Sequence, residues 1–359
     1  MFRCILLLSV SFITTFVSAQ TPVYDYLVWA DEFDGNGAID ASNWHHQTQI
    51  PNGGSWYNNE IQHYTNRVSN SYVSNGSLKV LAKKEVFTDQ GVTKAYTSAR
   101  LNSKFAFTYG KIEVRAKLPT GVGTWPAIWT LGKNIIEPGG YWSGTDGTVG
   151  WPVCGELDIM EHWGANQDYV SSAIHSPSSY GNTMNTGGRV VPGASTNYHL
   201  YTMEWFPEKI MFSVDGVQHY SYEPAVQNAE TWPFYADQYV LLNVAVLPNI
   251  DPAYVESSME IDYVRVYQET PLGINDLEEK AAITVYPNPV KNKLNIGLSA
   301  DHIGGTLRIY SLLGILIEDH LILDTKPQLD LSLYQDGMYF LKVQSNLGVV
   351  SKNIIKTSL

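Results

Sequence analysis

The stretch Trp151-Pro152-Val153-Cys154-Gly155-Glu156-Leu157-Asp158-Ile159-Met160-Glu161-His162-Trp163-Gly164 sets three carboxylates into an otherwise apolar run. It is too short and too β-prone for a surface helix. On a strand, alternate residues share a face, so Glu156 and Asp158 point one way while Leu157 and Ile159 enter the core. Strict alternation would send Glu161 inward as well. One extra residue at Ile159-Met160, a β-bulge, returns it to the face of the other two, and bulges are common beside active sites. The reading predicts an acidic row lining a concave surface.

Like charges held this close cost free energy unless one is protonated or well hydrogen-bonded. That coupling suits glycoside hydrolysis, in which one carboxylate attacks the anomeric carbon and a second, its pKa raised, protonates the leaving oxygen. Asp158, between them, could hydrogen-bond the nucleophile and tune both. Three acids on a strand also fit a solvated acidic edge or a calcium cluster. The flanking Trp-Pro, Gly155 and His162-Trp163 favour the cleft.

Glu-Leu-Asp-Ile-Met-Glu resembles the Glu-x-Asp-x-x-Glu signature of glycoside hydrolase family 16, in the bulged form of laminarinases and agarases. Further blocks resemble the family in family order: Val28 to Gly35, Asn58-Asn59-Glu60, Tyr96 to Arg100, Tyr109 to Pro119, Trp125 to Trp129 and Ile261 to Tyr267. The resemblance covers residues 24 to 269. It implies a bent β-sandwich jelly roll, concanavalin A-like, whose concave sheet forms the substrate cleft. The residues themselves also read as all-β: short runs rich in Val, Ile, Tyr and Thr, broken by Gly, Asn and Pro, without helical periodicity. One domain of about 245 such residues suits two packed sheets.

Four segments follow from the pattern along the chain of 359 residues. Residues 1–19 read as a secretion signal, with Arg3, an apolar run from Ile5 to Val17 and a small-residue cleavage site before Gln20. No other stretch reaches about 18 uninterrupted apolar residues, so the mature chain is expected to have no membrane span. Residues 20–269 form the catalytic domain, 270–282 a polar linker, and 283–359 a small second β-sandwich. All ten tryptophans precede the linker, the last being Trp232. Strands are expected in the tail at Ile283 to Tyr286, Lys293 to Leu298, Thr306 to Tyr310, Met338 to Gln344 and Val349 to Ile355.

Val285-Tyr286-Pro287-Asn288-Pro289-Val290, Ile309 to Gly314, Gly337 to Val343 and the late Lys356 resemble the C-terminal sorting domain of the type IX secretion system of Bacteroidetes. This implies a secreted or cell-surface protein with the secretion machinery as partner. A carbohydrate-binding module is the alternative, and the absence of Trp counts against it.

The formal net charge of −12 excludes nucleic acid as a natural partner and weighs against sulfated polysaccharides. Of the two cysteines, Cys4 lies in the signal, so Cys154 has no internal partner and reads as a buried, inert thiol. Nucleotide-binding glycine loops, His/Cys metal spacings and a Ser nucleophile elbow are missing from the sequence.

Trp125 and Trp129, four apart on a strand, project from one face and make a sugar platform, or core packing. The resemblance favours the cleft. It also implies sugar contacts for Asn58, Glu60 and Arg100, and places His175 near the acids from the adjacent strand. Asn243 is a similar, weaker candidate, as are Trp142 and Trp151 on the glycine-rich insert Pro138 to Gly150. His162 should point away from the cleft. Catalysis requires no cofactor. A structural Ca2+ on the convex side is implied by resemblance alone, at Glu32, Gly76 and Asp262; the alternative for Asp262 is an ion pair with Arg115 or Arg265.

The expected enzyme is a monomeric, retaining endo-β-1,3-glucanase, with Glu156 as nucleophile, Glu161 as acid and base, and mixed-linkage β-glucan as a further substrate. After Val246 the family's Gly-Gly-x-Trp-Pro-Gly loop is replaced by Leu247-Pro248-Asn249-Ile250-Asp251, which removes an aromatic near the cleft. Agarase or another galactan hydrolase is therefore an alternative, and a non-catalytic glucan-binding protein is another.

Overall fold

The computed structural model describes residues 23–51, 53–270, 283–312, 315–345 and 348–358. The predicted signal, 1–19, and the linker beyond Thr270 lie outside the described residues. The chain divides into two compact units, the first ending at Glu269 and the second beginning at Thr270.

Two antiparallel sheets build the first unit as a jelly roll. The seven-stranded sheet runs in the order Thr186–Val190, Tyr169–His175, Glu156–His162, Thr124–Gly132, Gln238–Val246, Arg100–Phe107, Trp44–His46. The ten-stranded sheet is centred on Gly110–Lys117 and the long strand Glu256–Glu269. Its one parallel pairing joins Gln62–Tyr64 to Val92–Ser98.

Alternation decides what each strand of the smaller sheet gives to each face. From Thr124–Gly132, Ile128 enters the core between the sheets while Trp125, Ala127, Trp129 and Leu131 line a cavity on the other side. Gln238–Val246 is buried throughout. Val240, Leu242, Val244 and Val246 join the inter-sheet core, Asn243 and Ala245 face the cavity, and Tyr239 and Leu241 pack beneath its wall with Leu131, Ile135 and Cys154. Each fully buried aliphatic contributes about 1.5–3 kcal/mol relative to exposure. A one-residue slip would forfeit that and put the cavity's polar groups inside. Register is fixed by the core, and the cavity face inherits its order.

The second unit is a smaller β-sandwich. Three strands, Thr284–Tyr286, Lys293–Gly297 and Gln328–Asp330, form one sheet, and Leu316–Leu321, Thr306–Ser311, Gly337–Ser345 and Gly348–Lys356 form the other. Leu294, Ile296, Leu307, Ile309, Leu341, Val343 and Ile354 fill the space between them. The five expected strands are all present. Leu316–Leu321 and Gln328–Asp330 come in addition, the former exposed along almost its whole length. No helix of the described residues is long and apolar enough to cross a membrane.

Candidate active site

Glu156 begins its strand directly after Gly155, whose φ is +74° and where a Cβ would meet the Phe234 ring at 2.7 Å. Only glycine serves there. Leu157, Ile159 and Met160 are all fully buried in the inter-sheet core, while Glu156, Asp158 and Glu161 line the cavity. Two consecutive core residues are the mark of the bulge. Opposite Thr124–Gly132, Asp158 pairs with Trp129 and Met160 with Ile128, so Ile159 is the extra residue. The expected bulge therefore lies where the sequence placed it.

The cavity holds about 400 Å³. Each outer glutamate receives an indole N–H: Trp151 Nε1 donates to Glu156 Oε2 at 2.9 Å, and Trp125 Nε1 donates to Glu161 Oε1 at 3.1 Å. His175, opposite Glu156 in the neighbouring ladder, brings Nε2 to 3.1 Å from Asp158 Oδ2 and 3.7 Å from Glu156 Oε1.

Burial governs the acid–base chemistry of the row. It pushes the Glu161 carboxyl up to about 8, with the neighbouring Asp158 charge adding to the rise and His175 and Trp125 opposing it. Burial, then repulsion from Asp158, raises Glu156, and burial raises Asp158. Carboxyls so close keep a proton between them, because ionising both would place two charges in one poorly solvated site.

Beside the row, Arg100 is buried and fixed from several sides. Its Nη2 donates to Glu137 Oε2 at 3.0 Å, its Nε donates to Gln47 Oε1 at 2.8 Å, and its guanidinium lies 4.8 Å from the centre of the Trp129 ring. Trp129 Nε1 donates to Asn243 Oδ1 at 2.7 Å, and Asn243 Nδ2 donates to the Tyr64 hydroxyl at 3.2 Å. That hydroxyl donates to Glu60 Oε2 at 2.9 Å, joined there by Gln62 Nε2 at 2.7 Å. Burial raises the Glu60 pKa against these hydrogen bonds and Arg100. Asn58, at a positive φ of 56° beside Tyr57, lines the same cavity.

The structure thus gathers Asn58, Glu60, Arg100, Trp125, Trp129, Asn243 and the three acids around one cavity, with His175 touching two of the acids. Trp151 belongs with them. Trp142, from the same insert, does not: it packs beside Tyr239 and Leu241, with Nε1 donating to the Ser103 carbonyl at 3.1 Å. The insert is held in place through Gln47 Nε2 to Pro138 O, Tyr141 N to Asn102 Oδ1 and the Lys133–Asp146 ion pair. His162 is buried away from the cavity, with Nδ1 bonded to the Tyr169 carbonyl. Glu137 gave no sequence signal. Its importance lies in Arg100, 37 residues away, and only the fold brings the two together. Cys154 is buried and free, and burial pushes its thiol well above the usual range.

Glu156, Asp158 and His175 bring ligand atoms within 4.8 Å of one another and could coordinate a small cation. The residues named for calcium are engaged otherwise. Glu32 is held by both Nε and Nη2 of Arg265, and Asp262 pairs with Arg115 at 2.5 Å. As side chains they do not fit a calcium ion, since each carboxylate already faces a guanidinium. Gly76 sits in the turn between Ser71–Ser74 and Ser77–Asp89.

Chemistry that needs one ionised and one protonated carboxyl on either side of a sugar's anomeric carbon is glycosidic-bond cleavage, and a jelly roll with such a row on its cavity floor is a carbohydrate-active enzyme. Residues 58–265 match the family described as glycosyl hydrolases family 16, and the chain belongs to that family of hydrolases. Residues 284–357 match the secretion system C-terminal sorting domain, which marks the protein for the secreted or cell-surface compartment. A β-glucanase of Rhodothermus marinus is 38% identical over 259 residues, covering 67% of this chain and 85% of the relative. LamA of Z. galactanivorans, crystallised as a variant in complex with laminaritriose and laminaritetraose, is similar at 44% identity and a TM-score of 0.64. That similarity covers 68% of this chain and 100% of the other. A keratan-sulfate endo-1,4-β-galactosidase of Sphingobacterium multivorum is 32% identical over 273 residues, covering 73% of this chain and 59% of the relative.

Proposed function

We propose that the first unit, residues 20–269, is a retaining endo-β-1,3-glucanase of the laminarinase type. Glu156 attacks the anomeric carbon and forms a glycosyl-enzyme intermediate. Glu161 protonates the departing sugar, then takes the proton of the attacking water. The observation that carries this reading is the pair of glutamates on one bulged strand, each held by an indole N–H, with Asp158 between them.

Burial raises all three carboxyls alike, and the surroundings of each accommodate the proposed roles. Glu161, raised to about 8, keeps a proton at neutral pH and can give it to a leaving oxygen. Glu156 must be ionised to attack. It becomes so when the proton of the pair resides on Asp158, and Trp151 and His175 also favour the Glu156 carboxylate. Trp125 and Trp129 offer flat apolar faces to the C–H bonds of sugar rings, and Asn58, Glu60, Arg100 and Asn243 offer hydrogen bonds to hydroxyls.

Glucan is preferred to galactan because the relatives described above include a β-glucanase and a laminari-oligosaccharide complex, and the net charge of −12 weighs further against those galactans that are sulfated. The galactosidase relative keeps a galactan substrate as the second reading. Calcium, on this reading, has no part in catalysis. Bound at the convex side it would draw on backbone oxygens near Glu32, Gly76 and Asp262, and chelation should lower the melting temperature without changing kcat on the surviving folded enzyme.

The deciding experiment measures reducing-end release from laminarin, barley mixed-linkage glucan, agarose and carrageenan, with Glu156→Ala as control. Strong release from laminarin, abolished in the control, is expected. Release from agarose alone would move the substrate to galactans, and binding without release on any of the four would make the protein a glycan receptor.

A further inference from the structure

We propose that Ser172 and His219 are positioning residues for Glu161: they pin the β-bulge at Ile159 and so hold the acid on the cavity side of its strand. The inference rests on the reading of Glu161 as the general acid. Across the ladder from Glu156–His162, Asp158 faces Ala173 and Glu161 faces Ser171, so Ser172 alone stands opposite the two-residue bulge. Its hydroxyl is fully buried and donates to the Ile159 carbonyl oxygen at 2.7 Å. The Ser172 hydroxyl oxygen itself lies 2.9 Å from His219 Nε2.

These two contacts fix their own directions. A carbonyl can only accept, so the single Ser172 proton is committed to Ile159, and the hydroxyl oxygen must accept from His219. His219 is therefore the neutral Nε2–H tautomer. Burial, aided by the nearby Arg189, draws its pKa down to about 4 and keeps it neutral. His219 comes from Val217–Tyr222, the edge strand of the opposite sheet, so the chain Ile159–Ser172–His219 ties the bulge across the sandwich.

The consequence is selective. Glu156 and Asp158 precede Ile159 and keep their face whatever happens at the bulge, whereas Glu161 follows it and faces the cavity only because one residue has been inserted. Loss of the Ser172 bond leaves a buried carbonyl without that donor and lets the extra residue move along the strand. The error falls on the acid and spares the nucleophile.

The test compares kcat/KM on laminarin, whose leaving sugar must be protonated, with kcat/KM on a dinitrophenyl β-laminaribioside, whose leaving group departs without a proton. In the purified full chain, Ser172→Ala is expected to lose about tenfold on laminarin and less than about twofold on the aryl substrate, as misplacement of one catalytic group should. Ser172→Thr, which retains the hydroxyl, should recover most of the loss. Should Ser172→Ala fail to fold, His219→Ala removes one of the two bonds without touching the bulged strand's neighbour, and the same selective loss, about threefold, is expected. Equal losses on both substrates, or none on either, overturn the proposal. Glu161→Gln, run alongside, should show the same selectivity more strongly. If it instead spares laminarin, the assignment of the acid has failed and not the bulge lock alone.

Discussion

Both units of this chain are sandwiches of short antiparallel strands, yet among the described residues only the first buries carboxylates. It encloses Glu60, Glu137 and Asp158, nearly encloses Glu156 and Glu161, and holds every tryptophan. Among the described residues of the second unit no Asp or Glu is buried; Asp336 stays exposed and meets the buried Lys356 from outside at 3.5 Å. The difference teaches what each unit is for. Alternating strands are a generic solution to packing, and a domain read by an export machine needs a stable surface. A hydrolase must in addition hold charges where water would not leave them, which the first unit does with indole, amide and guanidinium partners.

The comparison breaks most sharply at the acids. Glu156→Gln should lower kcat on laminarin by about 10⁴-fold or more, as loss of a covalent nucleophile does. Glu318→Gln in the second unit should leave it unchanged. The pH profile should show the same asymmetry of purpose: kcat/KM should fall as pH rises through about 8, because Glu161 then loses the proton it must donate. A profile still rising at pH 9 would place the acid elsewhere.

Smaller effects sharpen the picture. Trp129→Ala removes a flat face from the cavity and the ring under Arg100, and should raise KM about tenfold with a lesser change in kcat. Stability should respond to pH in a direction set by the raised carboxyl. The folded state holds a proton on Glu161 that the unfolded chain gives up at the usual carboxyl range, so this group's contribution declines as pH rises from about 4.5 to about 8. Glu161→Gln should therefore melt about 2–4 °C higher than the parent at pH 8.5 and lose that advantage below pH 4.5. Ending the chain after Glu269 should change kcat/KM on laminarin by less than about twofold, since the first unit is compact by itself.

Local chemistry made the core of the site readable. Three acids in Glu156 to Glu161, the bulge that aligns them and the paired faces of Trp125 and Trp129 all follow from a period of two and one inserted residue. The supporting groups did not follow. Glu137 sits outside the strands, in the segment after Thr124–Gly132, and its bond to Arg100 exists because that segment folds over the start of the strand Arg100–Phe107. Trp142 and Trp151 lie on one glycine-rich stretch with equal claims, and the structure turns one toward Glu156 and the other beneath the cavity wall. In the second unit, Leu316–Leu321 escaped notice because an exposed edge strand carries no buried face and so no alternation to read. Ser172 was equally silent: a serine among buried neighbours acquires meaning only from the carbonyl opposite it.

The central claim is that Glu156 forms a covalent bond to the sugar. A 2-deoxy-2-fluoro laminaribiosyl fluoride, which slows breakdown of the intermediate, incubated with the full chain and followed by peptide mass spectrometry, tests it directly. The account predicts a single adduct on the peptide carrying Glu156, abolished in Glu156→Gln. An adduct on Glu161 or Asp158, or turnover of laminarin with inversion and no adduct at all, would contradict it.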